Sequence, residues 1–276
     1  MARYKAELEE KYQAVVADKA VFDVWQADQN WQTCQKCQDV ICVKEDYNNP
    51  YTLSSVIVVN GQLQVRKERC PQWSAYINRK SARAGIPARY IGKTLLDYKS
   101  MPENAEAISM ASWYAEKCPR KWLYFYGGVG TGKTLLAAII ARRFIENGKR
   151  VIFGNVPTLL KRIKERFDIE NRKEQDDNIT AAMIMEKYIK VPLLVLDDLG
   201  AGYLTPWSIG VLFEIISERY NAGLRTIITS NYDPDQLAQR LRVKGATIEG
   251  EQIVSRIMEM SEEAFFGTVD KRRLAR

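Results

Sequence analysis

Apolar residues recur along the chain with two different periods, and the change from one to the other divides it. Near the start, Leu8, Tyr12, Val15, Val16 and Phe22 fall at roughly helical spacing, which predicts a helix over residues 5–24. Two short runs, Leu53–Val59 and Gln62–Lys67, flank Asn60-Gly61 and predict a β-hairpin. Beyond Gly85 the pattern becomes strand and helix in alternation. Trp122–Tyr126, Val151–Gly154, Leu193–Leu196 and Arg225–Thr229 read as strands. Helices are expected over 133–147, 157–167, 179–189 and 206–221, with Gly148 and Gly223 as stops after two of them and Pro157 at a start. Two short helices and a strand near Ala264–Val269 close the pattern. Alternation of this kind implies a parallel sheet covered on both faces.

The division places a small module at 1–84 and an α/β domain at 85–276. No apolar run approaches the ~18 residues of a membrane span. The opening MARYKAELEEKYQAVV is charged, without the apolar core of a secretory signal, so no membrane association and a cytoplasmic protein are expected. The net charge of +7 is unevenly spread. From Gly61 to Lys93 eight Lys or Arg face one acid, Glu68, whereas the first 33 residues hold four bases and six acids. Trp73, Tyr76 and Tyr90 are interleaved with that basic run, a pattern that suits single-stranded DNA but equally a packed core.

Chemistry enters at GGVGTGKT, Gly127, Gly128, Val129, Gly130, Thr131, Gly132, Lys133 and Thr134. A glycine-rich loop between strand and helix lets backbone N–H groups ring a β-phosphate at a helix N-terminus. Lys133 supplies positive charge to the β- and γ-phosphates, and Thr134 offers its hydroxyl to Mg²⁺. The apolar run 193–196 ends in Asp197 and Asp198. Asp197 is expected to hold the magnesium shell, and Asp198 to polarise the attacking water. Asn231 ends another apolar strand, where it would contact the γ-phosphate or that water. Arg256 and Arg272 are candidates for stabilising charge on the transferring phosphoryl group, the alternative being a solvated basic face.

The chain has no histidine, which excludes Ser-His-Asp and Cys-His catalysis and any His-ligated metal. Cys34, Cys37, Cys42 and Cys70 form a four-thiolate set that suits one tetrahedral Zn²⁺ in a small module; free thiols are the alternative. Cys118 reads as a small core residue.

In order, AGIPARYIGKTLLDY, GGVGTGKT, LLVLDDLGA, ERYNAGLRTIITSNY and DKRR resemble the bacterial helicase loaders of the DnaC/DnaI type, within a wider group that includes the IstB transposition helpers. The resemblance covers residues 84–276, and the four-cysteine module looks like the DnaI branch. It implies an AAA+ P-loop NTPase with a central parallel sheet, preceded by a small zinc-binding module. It implies ATP as the switch and a replicative hexameric helicase as partner. It further implies that the helicase is delivered to single-stranded DNA, with the loader assembling upon it as a homo-oligomer, up to a hexamer. Many AAA+ ATPases carry Glu where this chain has Asp198, and the shorter reach predicts slow hydrolysis. The alternatives are an IstB-like transposition helper and, more remotely, a P-loop kinase.

Overall fold

The structure is a computed structural model; it describes residues 42–43, 52–59, 62–69, 71–98, 104–117, 119–171 and 180–270. The chain divides into two compact units, Met1–Tyr76 and Ile77–Arg276.

In the first unit, β1 (Cys42–Val43), β2 (Thr52–Val59) and β3 (Gln62–Arg69) form an antiparallel sheet in that order. Val59 pairs with Gln62, the register a two-residue hairpin loop requires, as the sequence predicts. The helix expected over 5–24 lies outside the described residues.

The division falls inside α1 (Pro71–Arg83), which takes up much of the basic run. After α2 (Ala105–Lys117), strand and helix alternate: β4 (Trp122–Tyr126), α3 (Lys133–Glu146), β5 (Val151–Asn155), α4 (Val156–Asn171), α5 (Ala181–Lys190), β6 (Leu193–Asp197), α6 (Pro206–Asn221) and β7 (Arg225–Ser230). Two helices, α7 (Pro234–Leu241) and α8 (Thr247–Met260), and the strand β8 (Ser261–Phe265) follow. The five strands are all parallel, in the order β5-β6-β7-β4-β8.

The central strands β4 and β6 are almost continuously apolar because helices cover both faces. Leu193, Leu194, Val195 and Leu196 are fully buried, as are Trp122 to Phe125. One core packs Trp122, Tyr124, Leu194 and Ile228 against Ile209, Leu212, Ile253 and Ile257 of the covering helices. Each such side chain contributes roughly 1.5–3 kcal/mol by leaving water. The Trp122 indole also donates to the Leu224 carbonyl at 2.8 Å, so its one polar atom is satisfied.

The C-terminal strand is not where the sequence pattern puts it. It spans Ser261–Phe265 rather than Ala264–Val269, directly after α8. Ile253, Val254 and Ile257 are buried at helical spacing and carry that helix to Met260. β8 is an edge strand paired to β4 alone, so it tolerates Glu262 and Glu263, which mask its strand pattern. Among the described residues no helix is long and apolar enough to cross a membrane.

Candidate functional site

In a parallel sheet every strand delivers its last residue to the same end, and here that end gathers the chemistry. β4 runs into the 127–132 loop, β6 ends on Asp197, and β7 ends next to Asn231. The sequence-expected residues Lys133, Thr134, Asp197, Asp198 and Asn231 therefore meet, although they span a hundred positions.

Lys133, the first residue of α3, is only 5% exposed. Its ammonium lies 2.8 Å from the Gly127 carbonyl, 2.7 Å from that of Gly128 and 3.0 Å from Asn231 Oδ1. All of these acceptors are neutral. Phosphate oxygens make stronger, charge-assisted bonds to an ammonium, so a bound polyphosphate displaces such acceptors. The contact to Asn231 confirms that β7 brings this residue beside the phosphate loop.

The loop's glycines do more than leave N–H groups bare. A Cβ on Gly128 would sit 2.8 Å from the Thr268 carbonyl oxygen, and the Gly128 N–H donates to the Gly267 carbonyl at 2.9 Å. The stretch after β8 thus pins the start of the loop. Gly132 has φ +103°, and a Cβ there would lie 2.6 Å from the Tyr98 hydroxyl. Tyr98 is a buried ring beneath the loop that sequence reasoning missed; its hydroxyl approaches the Thr131 carbonyl at 3.4 Å. Desolvation raises the Tyr98 pKa, so the ring stays neutral there.

Asp197 is buried, and burial raises its carboxyl above the usual aspartate value. The Thr229 hydroxyl, which donates to Asp197 Oδ1 at 2.7 Å, and the Thr134 hydroxyl oppose that shift. A carboxylate and a threonine hydroxyl, adjacent, half-desolvated and oxygen-bearing, are the donor set a hard divalent cation takes. The pair fits Mg²⁺.

Asp198 adopts φ +59°, the single non-glycine residue with positive φ among those described. Aspartate tolerates that region better than most residues, and strained backbone gathers at functional sites. Thr229 holds the turn, because its Oγ1 accepts from the Asp198 N–H at 3.0 Å while donating to Asp197. Asn155, the last residue of β5, donates to Asp198 Oδ2 at 3.2 Å. Neither Thr229 nor Asn155 was foreseen in these roles. The one available signal was position: each sits at the C-terminal end of a predicted strand.

Arg256 does not join this cluster. It lies on α8 with its guanidinium 5.0 Å from the Phe213 ring centroid and 5.8 Å from that of Tyr220, both on α6. Its Nη1 is buried without a hydrogen-bond partner. Arg272 lies outside the described residues, as do Cys34, Cys37 and Cys70; Cys42 is in β1. Among the described residues no group of three or more His, Cys, Asp or Glu is placed to hold a metal ion.

With this geometry in place, likeness to known proteins becomes informative. Residues 109–262, more than half of the chain, match the family described as IstB-like ATP binding protein. The chain belongs to that family. The matched segment runs from α2 to β8 and so contains every described member of the nucleotide cluster. Within and around this IstB-like core, the chain is 24% identical over 266 residues to the replicative helicase loader DnaI of Bacillus subtilis, covering 92% of this chain and 81% of that protein. An insertion-sequence ATP-binding protein of Sinorhizobium fredii is 34% identical over 162 residues, 56% of this chain and 49% of that one. A crystal structure of the DnaC helicase loader superimposes with a TM-score of 0.53 at 29% identity, over 65% of this chain and 99% of that one.

Proposed function

We propose that this IstB-like protein is an ATP-dependent loader that binds a replicative hexameric helicase and delivers it to single-stranded DNA in the cytoplasm. The observation that carries the reading is the nucleotide cluster in a chain that aligns with a helicase loader along 92% of its length, well beyond the ATP-binding core.

The chain's own groups divide the work as follows. Lys133 binds the β- and γ-phosphates, exchanging neutral carbonyls for phosphate oxygens. Thr134 and Asp197 would hold Mg²⁺, which supplies charge that offsets that of the phosphates. Asp198 takes the proton of the attacking water and is oriented for it by Asn155 and by its own strained backbone. Asn231 reports the γ-phosphate to β7 through its contact with Lys133. Arg256 acts on the nucleotide of an adjoining subunit. Its place on α8, about 25 residues beyond Asn231, supports this role; the guanidinium, held over Phe213 and Tyr220 with Nη1 buried, would swing off those rings to reach that nucleotide. Arg272 would add charge from the C-terminal tail. Hydrolysis is therefore slow in the isolated chain and rises on assembly into a homo-oligomer.

The module at 1–84 docks on the helicase in this reading, with one Zn²⁺ on Cys34, Cys37, Cys42 and Cys70. Its support is the thiolate spacing in a histidine-free chain. Metal analysis of freshly purified, reduced protein should return about one zinc per chain; none at all would remove the zinc.

The decisive test is association. Purified chain and the replicative helicase of the same host should co-elute with ATP as a complex larger than the helicase hexamer. A chain that leaves the helicase free and assembles on duplex DNA instead supports the second reading, a transposition helper, which the 34% identical insertion-sequence protein favours.

A further inference from the structure

Three helices end together at the other end of the sheet. The last turn of α1, the connection that follows α3 and one face of α5 line a groove of about 580 Å³, with the start of β5 at its base. Val151 and Ile152 open β5 and Val191 precedes β6, so the groove lies at the N-terminal ends of the strands, opposite Lys133 and Asp197. Its volume falls within the roughly 300–1,000 Å³ of pockets that take a ligand.

The rim is basic. Lys80, Arg83, Lys149, Arg150, Lys187 and Lys190 are exposed around it, and Glu186, paired with Lys190, is its one acid. Six cations against one acid leave a surplus of five charges. Cations near a helix C-terminus offset the dipole, but three such ends carry only about half a negative charge each. Most of the surplus is left over, and it focuses a positive field into the groove.

The base is aliphatic. On α5, Ile184, Met185, Tyr188 and Ile189 pack against the core. Met183 instead stands 43% exposed on the stripe that holds Glu186, Lys187 and Lys190. Ile152, half-buried, adds to this surface, and Ile145, Val151 and Val191 are buried in the same lining. A flexible thioether among lysines is an adaptable contact for another apolar side chain.

We infer that this groove docks an acidic segment of a partner protein in which carboxylates are interspersed with leucine-like side chains. The rim alone attracts any polyanion, and the base is what discriminates. A nucleic-acid backbone carries no aliphatic chain to lay on Met183 and Ile152, and no ring lines the groove to take a base. An apolar segment without acids leaves the surplus charge unmatched. A segment with both is steered by its carboxylates and held by the water its aliphatic groups displace. The inference does not rest on the loader reading, because this face lies at the opposite end of the sheet from the nucleotide cluster.

The test is fluorescence anisotropy on the full chain, without helicase, using a labelled, acetylated nonapeptide of three Asp-Asp-Leu repeats. A peptide of Asp-Asp-Gly repeats, equal in charge, should bind about tenfold more weakly or worse, since burying one leucine side chain is worth about a decade in affinity. Lys149→Glu, Arg150→Glu and Lys187→Glu together should weaken the leucine peptide at least tenfold, and the same three with Gln should weaken it less. Met183→Gln should shrink the leucine peptide's advantage at least threefold and leave the glycine peptide's affinity as it was. All four substituted side chains are exposed, so the variants should keep the parent's circular dichroism and ATP affinity, which separates a lost site from a lost fold.

Equal affinity for the two peptides would overturn the inference, as would unchanged binding of the leucine peptide in the Glu variant. So would displacement of that peptide by dT20 or a 20-base-pair duplex, matched in total charge, more readily than by its own unlabelled form. That outcome would make the face a nucleic-acid surface. The helicase is absent from the test, so failure here leaves the loader reading as it stands.

Discussion

Each end of the parallel sheet buries a cation among neutral oxygens, and the two cations serve opposite purposes. At the C-terminal end Lys133 meets two loop carbonyls and the amide of Asn231, an exposed residue. At the N-terminal end Arg219, on α6, is fully buried and donates to the carbonyls of Tyr188, Ile189 and Val191 at 2.8–2.9 Å. It also reaches Thr226 Oγ1 at 3.0 Å and the Arg225 carbonyl. Burial lowers its pKa to about 9, still above neutrality, so it remains charged. Arg219 caps the C-terminal carbonyls of α5 and ties them to the start of β7, using nearly all of its donor fork. Its acceptors belong to fixed elements, the end of α5 and the start of β7. The acceptors of Lys133 are two carbonyls of a glycine loop and a side-chain amide, and can be exchanged. A buried cation is structural when its partners cannot move, and functional when they can be replaced by a ligand.

The largest effect should come from breaking the fixed end. Arg219→Ala strands several buried carbonyls at roughly 1–3 kcal/mol each, and a loss on the order of 4 kcal/mol is expected by urea denaturation. Arg219→Lys should not rescue it, because an ammonium cannot span acceptors on α5 and β7. If instead Arg219→Ala keeps its stability and loses ATP binding, the two ends have been assigned the wrong way round.

At the exchangeable end the expected losses are of function. Asp198→Asn should bind ATP as the parent does and hydrolyse it about 10²-fold more slowly, the lower range for removing a general base. Equal losses in binding and turnover would show that Asp198 contacts the ground state.

Asp197→Asn should raise the thermal midpoint of the protein without nucleotide, a smaller change and of opposite sign. Burial raises the carboxyl's folded pKa above its unfolded one, so the ionised group opposes folding at neutral pH. That cost is absent at low pH and grows as pH rises through the folded pKa. The gap between variant and parent should accordingly close as the pH falls. A gap that widens on acidification would mean that the ionised carboxylate is stabilised in the fold.

The smallest change is Tyr98→Phe. The hydroxyl's approach to the Thr131 carbonyl is long at 3.4 Å, its other partner is the Asn104 side chain, and the ring fills the space beneath Gly132 either way. ATP affinity should shift by less than about threefold, within the ~0.5 kcal/mol of a weak hydrogen bond. Tyr98→Ala, which removes the ring, should cost more.

What could be read in advance follows from how each feature is encoded. GGVGTGKT and the LLVLDD run are local patterns, with an apolar strand followed at once by its chemistry, and they lie where the sequence puts them. Asn231 also lies at its expected place, because β7 is an apolar run with a polar stop. Thr229, Asn155 and Tyr98 act through contacts 31 to 43 residues away, and no local pattern distinguishes them from ordinary strand-end or loop residues. Arg219 was invisible for another reason. It stands in Glu218-Arg219-Tyr220-Asn221, which has the composition of a solvated helix end, and Glu218 and Asn221 are indeed exposed, yet Arg219 alone turns into the core. The β8 shift has the same origin, since the pairing of an edge strand with β4 overrides its own charged sequence.

The most direct measurement is calorimetric titration of Mg·ATP into the parent and Lys133→Ala, each followed by thermal unfolding. The parent should bind one nucleotide per chain. Lys133→Ala should show no measurable binding while still unfolding cooperatively, at a midpoint lowered only by the one buried carbonyl, that of Gly127, left without its ammonium. ATP binding at parental affinity in Lys133→Ala, or collapse of its fold, would contradict the account.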